Sequence, residues 1–168
     1  MNDHKTIEEI ENEIVEEFSL FDTWDDKYEY IIDLGKKLPP LEDKYKIDEN
    51  RVRGCQSTVF LVADYKNARL PARAGTDGND SVGQGKVFYK AESDAVIVKG
   101  LISMLIRVLS GQTPDEIVEA KLDFIREIGM MTHLAQTRSN GLLAMVKQMK
   151  NYALAFKLKD SLVSTNNQ

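Results

Sequence analysis

The residues best suited to chemistry in this chain gather around its single cysteine, in the run Arg51-Val52-Arg53-Gly54-Cys55-Gln56-Ser57-Thr58-Val59-Phe60. A glycine precedes the sulfur, two polar residues follow it, and an apolar run opens at Val59. That order reads as a thiol on a loop tip leading into a strand. Gly54 removes a Cβ beside the sulfur and permits a positive φ or a close approach by a partner. Arg51 and Arg53 bring positive charge, which favours thiolate over thiol. The plainer reading is that a free cysteine is a small buried hydrophobe. Cys55 could also pair with His133 as nucleophile and base. Such a pair needs an oxyanion site and an orienting group as well, and the sequence points to neither. His133 on its own reads as a hydrogen-bonded structural residue.

A metal centre needs several ligands at set spacing. This chain offers one cysteine and two histidines, one of them His4 near the N-terminus, so no zinc or iron–sulfur site of its own is expected. Lys plus Arg number 22 and Asp plus Glu 27, for a net charge of −5 over 168 residues. A chain this acidic lacks the basic face that nucleic acid requires. One cysteine cannot close an internal disulfide, which suits a reducing compartment. Residues 1–17 are polar and acidic rather than signal-like. The most apolar stretch, 95–109, is short for a bilayer span and is interrupted by Lys99 and Arg107. A soluble, cytoplasmic protein with no membrane association is expected.

The elements that must position Cys55 follow from periodicity. Thr6 and Glu9 form a capping-box pattern ahead of Ile7, Ile10, Ile14, Phe18 and Phe21, which recur at helical spacing. A second helix starts at Thr23, carries Asp25 and Asp26 in its first turn and ends before Pro39-Pro40. Residues 41–50 form a polar connection that delivers the chain to Cys55. Residues 58–65 and 86–91 read as two antiparallel strands, the first apolar on both faces. Between them, 67–85 is a long glycine-containing loop, read as an insertion at a hairpin tip. It is no phosphate cradle, since Asp80 and Val87 stand where that motif needs Gly and Ser or Thr.

Ser93 reads as the cap of a buried helix over 94–110, and Thr113-Pro114 opens the next. Helix is expected over 124–129, and 130–134 resists assignment. A last long helix starts near Thr137 or Ser139, with Leu142, Met145, Val146, Met149, Tyr152, Ala153 and Phe156 on one face. Residues 159–168 read as a frayed tail. The order is two helices, a small antiparallel sheet, then several helices packed on one face, which is an α+β domain spanning 1–158.

Residues 51–60 resemble the sulfur-acceptor loop of the SufE family, with its Gly-Cys-Gln-Ser core followed one residue later by Val and an aromatic. Tyr28 to Pro39 (YEYIIDLGKKLP), Ser93 to Leu101 (SDAVIVKGL) and Thr132 to Met145 (THLAQTRSNGLLAM) are similar to further stretches of that family, in the same order. The long 67–85 loop and the extended C-terminus depart from its pattern.

The resemblance implies a fold shared with IscU-type scaffolds. It implies a persulfide carrier on Cys55 that takes sulfur from a cysteine desulfurase of the SufS type, stimulates it, and delivers sulfur to an iron–sulfur scaffold. Pyridoxal phosphate would belong to the desulfurase, and the carrier would need no cofactor of its own. A scaffold role would require several cysteine ligands. By match, Arg53, Gly54, Gln56 and Ser57 belong to the loop. Asp94 and Arg138 correspond to family residues on the partner-facing side, although Asp94 could simply cap a helix and Arg138 could simply pair at the surface. The resemblance also suggests a sulfur turned into an apolar pocket under its own loop. Burial would raise the thiol's pKa and slow its reactions until the loop opens.

Overall fold

The computed structural model describes residues 4–67 and 84–166. Thr6 accepts the Glu9 amide and Glu9 returns to the Thr6 amide, so α1 (Ile7–Ser19) starts with the expected capping box. Thr23 caps α2 (Trp24–Lys36) through the Asp26 amide. Two short 3-10 turns, Asp43–Tyr45 and Asp48–Asn50, then carry the connection to the cysteine.

Strands β1 (Val59–Lys66) and β2 (Lys86–Ser93) pair antiparallel, from Val59 opposite Ser93 to Lys66 opposite Lys86. Val59, Leu61, Val87, Tyr89 and Ala91 are buried on one face. Phe60, Val62 and Phe88, on the other face, are only half-buried. The first strand, apolar on both faces in sequence, is thus fully buried on only one of them, the side on which the helices pack. Of the long loop expected over 67–85, residues 68–83 lie outside the described residues.

Helix α3 (Val96–Leu109) is the centre of the core, packed against α2, β2, α1 and the long C-terminal helix. Its Leu101, Ile102, Met104, Leu105, Val108 and Leu109 are buried nearly completely. α2 approaches it so closely that a Cβ on Gly100 would stand 2.0 Å from the Ile31 carbonyl oxygen. Only a residue without a side chain fits that crossing.

The start of α3 departs from the sequence reading. Its N-cap is Ala95, whose methyl group makes no capping hydrogen bond. Ser93 instead accepts the Ala95 amide, and the Asp94 carboxylate turns away to the amide of Thr58.

Thr113 and Glu116 form a second capping box on α4 (Pro114–Glu119). Helical turns α5 (Phe124–Glu127) and α6 (Met130–His133) follow, the second in the stretch that the sequence left unassigned. Helix α7 (Gln136–Asn166) is 31 residues long. The Tyr89 hydroxyl donates to the Met149 carbonyl at 2.7 Å and the Tyr152 hydroxyl to the Leu61 carbonyl at 3.0 Å, tying α7 to the sheet. Lys150 donates to the carbonyls of Val118 and Ala120, filling the open C-terminal end of α4.

The frayed tail expected over 159–168 is corrected as well: the helix continues to Asn166. The turns just before and at the start of this extension are braced by the end of β1 and by α4. Tyr65 stacks on Phe156 with ring centroids 5.1 Å apart and bonds to Asp160, and Lys157 pairs with Asp115 at 2.7 Å.

Candidate functional site: a seated thiol on a hairpin loop

The cysteine loop is itself a hairpin. Arg51 bridges to Phe60, and the Val52 amide donates to the Val59 carbonyl at 2.8 Å. Val52 and Val59 are buried and anchor the two arms. The turn between them is possible because Gly54 sits at φ +89°, a left-handed conformation that a side chain disfavours. At the far arm, Asp94 grips Thr58 twice. Its carboxylate accepts the Thr58 amide at 3.0 Å, and its own amide donates to the Thr58 carbonyl at 3.3 Å. Asp94 therefore acts on the loop base rather than on the helix dipole.

Cys55 is half-buried, and its thiol leans on the first turns of α7. Sγ lies 3.5 Å from the Gly141 carbonyl oxygen, as a thiol donor to it. A Cβ on Gly141 would come within 3.4 Å of the same sulfur, and one on Gly54 within 3.4 Å of the Ala144 methyl. The loop thus rests on a helix face that has no bulk at the contact points.

Beside the sulfur opens a cavity of about 310 Å³. Val98 and Leu101 from α3, with Leu142 and Met145 from α7, form its apolar wall. Gln56 and Ser57 from the loop, with Thr137 and Arg138 from the start of α7, form its polar rim. Burial pushes the thiol pKa up from its ordinary value. At neutral pH a free thiol already ionises only in small part, and burial favours the neutral form further.

Two sequence readings are corrected here. Arg53 does not activate the thiol: its guanidinium is exposed and pairs with Asp48 at 2.5 Å, and burial is what shifts Cys55. His133 is not brought to the sulfur. Its ring stacks on Trp24 with centroids 4.0 Å apart, its Nδ1 bonds the Gly129 carbonyl at 3.0 Å, and it does not line the cavity. A Cys55–His133 pair has no geometric support. Arg138, by contrast, is on the cavity rim, and the motif match had set it on the partner side. The sequence reading missed Gly141. A lone glycine inside a continuous helical pattern was the available signal, since such a residue commonly has a packing reason.

A small sheet backed by helices, with the chain's one thiol on a hairpin loop against a cavity, makes that thiol and its surroundings the candidate site. The family comparison makes the class specific. The chain belongs to the SufE family: the SufE model, described as an Fe-S metabolism associated domain, matches residues 12–153. An uncharacterized SufE-like protein of Synechocystis sp. is 38% identical over 148 residues, covering 88% of this chain and 82% of the relative. One of Rhizobium meliloti is 35% identical over 143 residues, covering 84% and 93%. SufE-like protein 1 of Arabidopsis thaliana, named as chloroplastic/mitochondrial, is 34% identical over 160 residues, covering 94% of this chain and 39% of that protein.

The solution structure of a hypothetical protein from Thermus thermophilus shares the fold, with a TM-score of 0.64 and 20% identity over 89% of this chain and 96% of that one. Membership places the chain in iron–sulfur metabolism and, in general terms, in sulfur transfer, and the family suggests a cysteine desulfurase as partner. Among the described residues no helix is long and apolar enough to cross a membrane.

Proposed function

We propose that this protein is a persulfide carrier. It accepts sulfur on Cys55 from a SufS-type cysteine desulfurase, stimulates that enzyme, and passes the sulfur to a downstream iron–sulfur scaffold in the cytoplasm. The observation that carries this reading is the placement of the sole thiol. Cys55 sits on a loop held at both ends, with its sulfur beside a cavity that has room for more than one further atom.

The chemistry balances without an oxidant or reductant. The desulfurase presents a persulfide on its own cysteine, made with its own pyridoxal phosphate. The Cys55 thiolate attacks the outer sulfur of that persulfide. A new S–S bond forms on Cys55, the old one breaks, and the electron pair leaves on the desulfurase thiolate, which takes up a proton. This is thiol–disulfide exchange applied to a persulfide, governed by thiolate fraction, access and leaving group. The carrier supplies the nucleophile and its shelter, and has no need of a cofactor. Because it holds one thiol, no second cysteine in the chain can attack the loaded persulfide and discharge it as a disulfide.

The test is to mix the protein with a cysteine desulfurase and L-cysteine. Alanine release should accelerate, and Cys55 should gain the mass of one sulfur atom. Cys55→Ser should fold, accept nothing and stimulate nothing. Equal alanine production with the serine variant would end the carrier reading.

A further inference from the structure

We propose that the outer face of the C-terminal turns of α7 is a surface on which a second copy of this chain docks, helix against helix, about a two-fold axis at Leu158. The surface stands apart from the thiol and does not depend on the carrier reading.

Four of the nine large apolar side chains exposed among the described residues fall between positions 154 and 163. Apolar residues scattered singly over a surface need no explanation, whereas a contiguous group marks an interaction site. Three of the four, Leu154, Leu158 and Leu162, are 42%, 56% and 67% exposed. They recur every four residues, so each is turned about 40° from the last and the three form one slanting ridge. Met149, Ala153 and Phe156 give the opposite side of the helix to the core, so the ridge faces away from the chain's own body. The SufE match ends at residue 153, and the ridge therefore lies outside the part of the chain that defines the family.

The chemistry of the ridge decides what fits it. An arc of about 120° around it, from Asn151 to Thr165, carries no charged residue; Ala155, Ser161 and Thr165 fill the spaces beside the leucines. The Ser161 hydroxyl donates to the Lys157 carbonyl at 3.1 Å, and the Thr165 hydroxyl to the Ser161 carbonyl at 2.9 Å. Both donors are thus satisfied within the helix, and covering them strands neither. Lys157, at the edge of the arc, is already neutralised by Asp115 of its own chain at 2.7 Å. A face without charge has nothing with which to select an acidic or a basic partner. It suits its own copy, because a ridge at every fourth residue packs into the groove beside an identical ridge, at about −50° and an axial separation of about 8–10 Å. A two-fold axis makes that contact self-complementary and closes it at two copies.

The pairing leaves the thiol free. Leu158 follows Gly141, where the Cys55 sulfur rests, by 17 residues, which is about 25 Å along the helix. The few residues that each copy contributes fall short of the roughly 20–30 of a standard interface, so the pair is reversible, with a dissociation constant of about 10–100 µM.

The experiment is sedimentation equilibrium of the free, full-length protein from about 5 to 500 µM, a range that brackets that constant, with a reductant present so that Cys55 forms no disulfide. The parent should pass from monomer to dimer over that range. Leu158→Glu and Leu162→Glu should stay monomeric throughout, with the Tm and the Cys55 alkylation rate of the dilute parent. In a Cys55→Ser background, Leu158→Cys should oxidise to a linked dimer about tenfold faster than Lys159→Cys, whose side chain points about 100° away around the helix. A parent that is monomeric at every concentration overturns the proposal. A dimer that survives both glutamate variants, or equal oxidation of the two cysteine variants, overturns it too. Vesicles of phosphatidylcholine and phosphatidylglycerol that carry down the parent but not Leu158→Glu, while the free chain stays monomeric, would assign the face to a lipid surface instead and overturn it as well.

Discussion

Replacing Asp94 by alanine cuts one of the two bonds that hold the base of the Cys55 loop to the start of α3. The lost bond runs from the Thr58 amide to the Asp94 carboxylate at 3.0 Å; the 3.3 Å bond from the Asp94 amide to the Thr58 carbonyl survives the change. Hydrogen bonds to charged groups contribute about 1.5–3 kcal/mol, and Asp94 is exposed, so solvent lowers the figure to about 1 kcal/mol. A loss of that size raises the population of the open loop about fivefold. The strands keep their register, because β1 and β2 pair through backbone bonds that Asp94 does not make. Tm should therefore fall by no more than about 4 °C, the shift that about 1 kcal/mol gives in a chain this long. Two local readouts should move instead. Cys55 alkylation should quicken about fivefold if the reagent reaches only the open loop, and the Thr58 amide should exchange faster with solvent by a similar factor. Unchanged alkylation and unchanged Thr58 exchange, in a variant that folds, would show that Asp94 does not brace the loop.

Three further outcomes follow from other parts of the molecule. Arg138 is exposed on the cavity rim, and among the described residues no carboxylate pairs with it. It also sits in the first turn of α7, where the helix dipole disfavours a cation. Arg138→Ala should thus leave Tm within about 2 °C while weakening desulfurase stimulation, and an unchanged concentration series would remove it from the partner surface. Gly100→Ala must separate α2 from α3, since its Cβ would meet the Ile31 carbonyl at 2.0 Å. A loss of about 3 kcal/mol or more in urea unfolding is expected, and a loss below about 1 kcal/mol would contradict the close crossing. Arg107 bonds both carboxylate oxygens of Glu17, at 2.8 and 2.6 Å, and that bonding holds the Glu17 pKa below its ordinary value. Its contribution is present above the unfolded carboxylate pKa and is lost as pH falls through the lowered folded one. The Tm difference between the parent and Arg107→Ala should therefore shrink on acidification, and a difference that stays constant would refute the pairing as its source.

The sequence by itself determined the elements and their order, because the signals that fix them are local. The capping box at Thr6, the Thr113-Pro114 helix start, the Pro39-Pro40 stop and the apolar stripes of α1, α2 and α7 concern residues within a turn or two of each other. The loop motif likewise marked Cys55, because Gly-Cys-Gln-Ser is contiguous. The tertiary structure decided what each of these groups does, because burial and contact join residues far apart in the chain. Arg53 looks like an activator of the thiol in sequence, yet it turns outward to Asp48, which a flexible, well-hydrated side chain on an exposed turn does readily. Asp94 looks like a helix cap, yet it ties Thr58, 36 residues away. His133 could reach anything in sequence, and packing gives it to Trp24. The C-terminal turns look frayed because most of their side chains are polar, and they continue as helix from a point where Tyr65 meets Asp160. The seat of the sulfur belongs to the same class. Gly141 lies 86 residues from Cys55, and only the packing of α7 against the hairpin brings its carbonyl oxygen to 3.5 Å from the thiol.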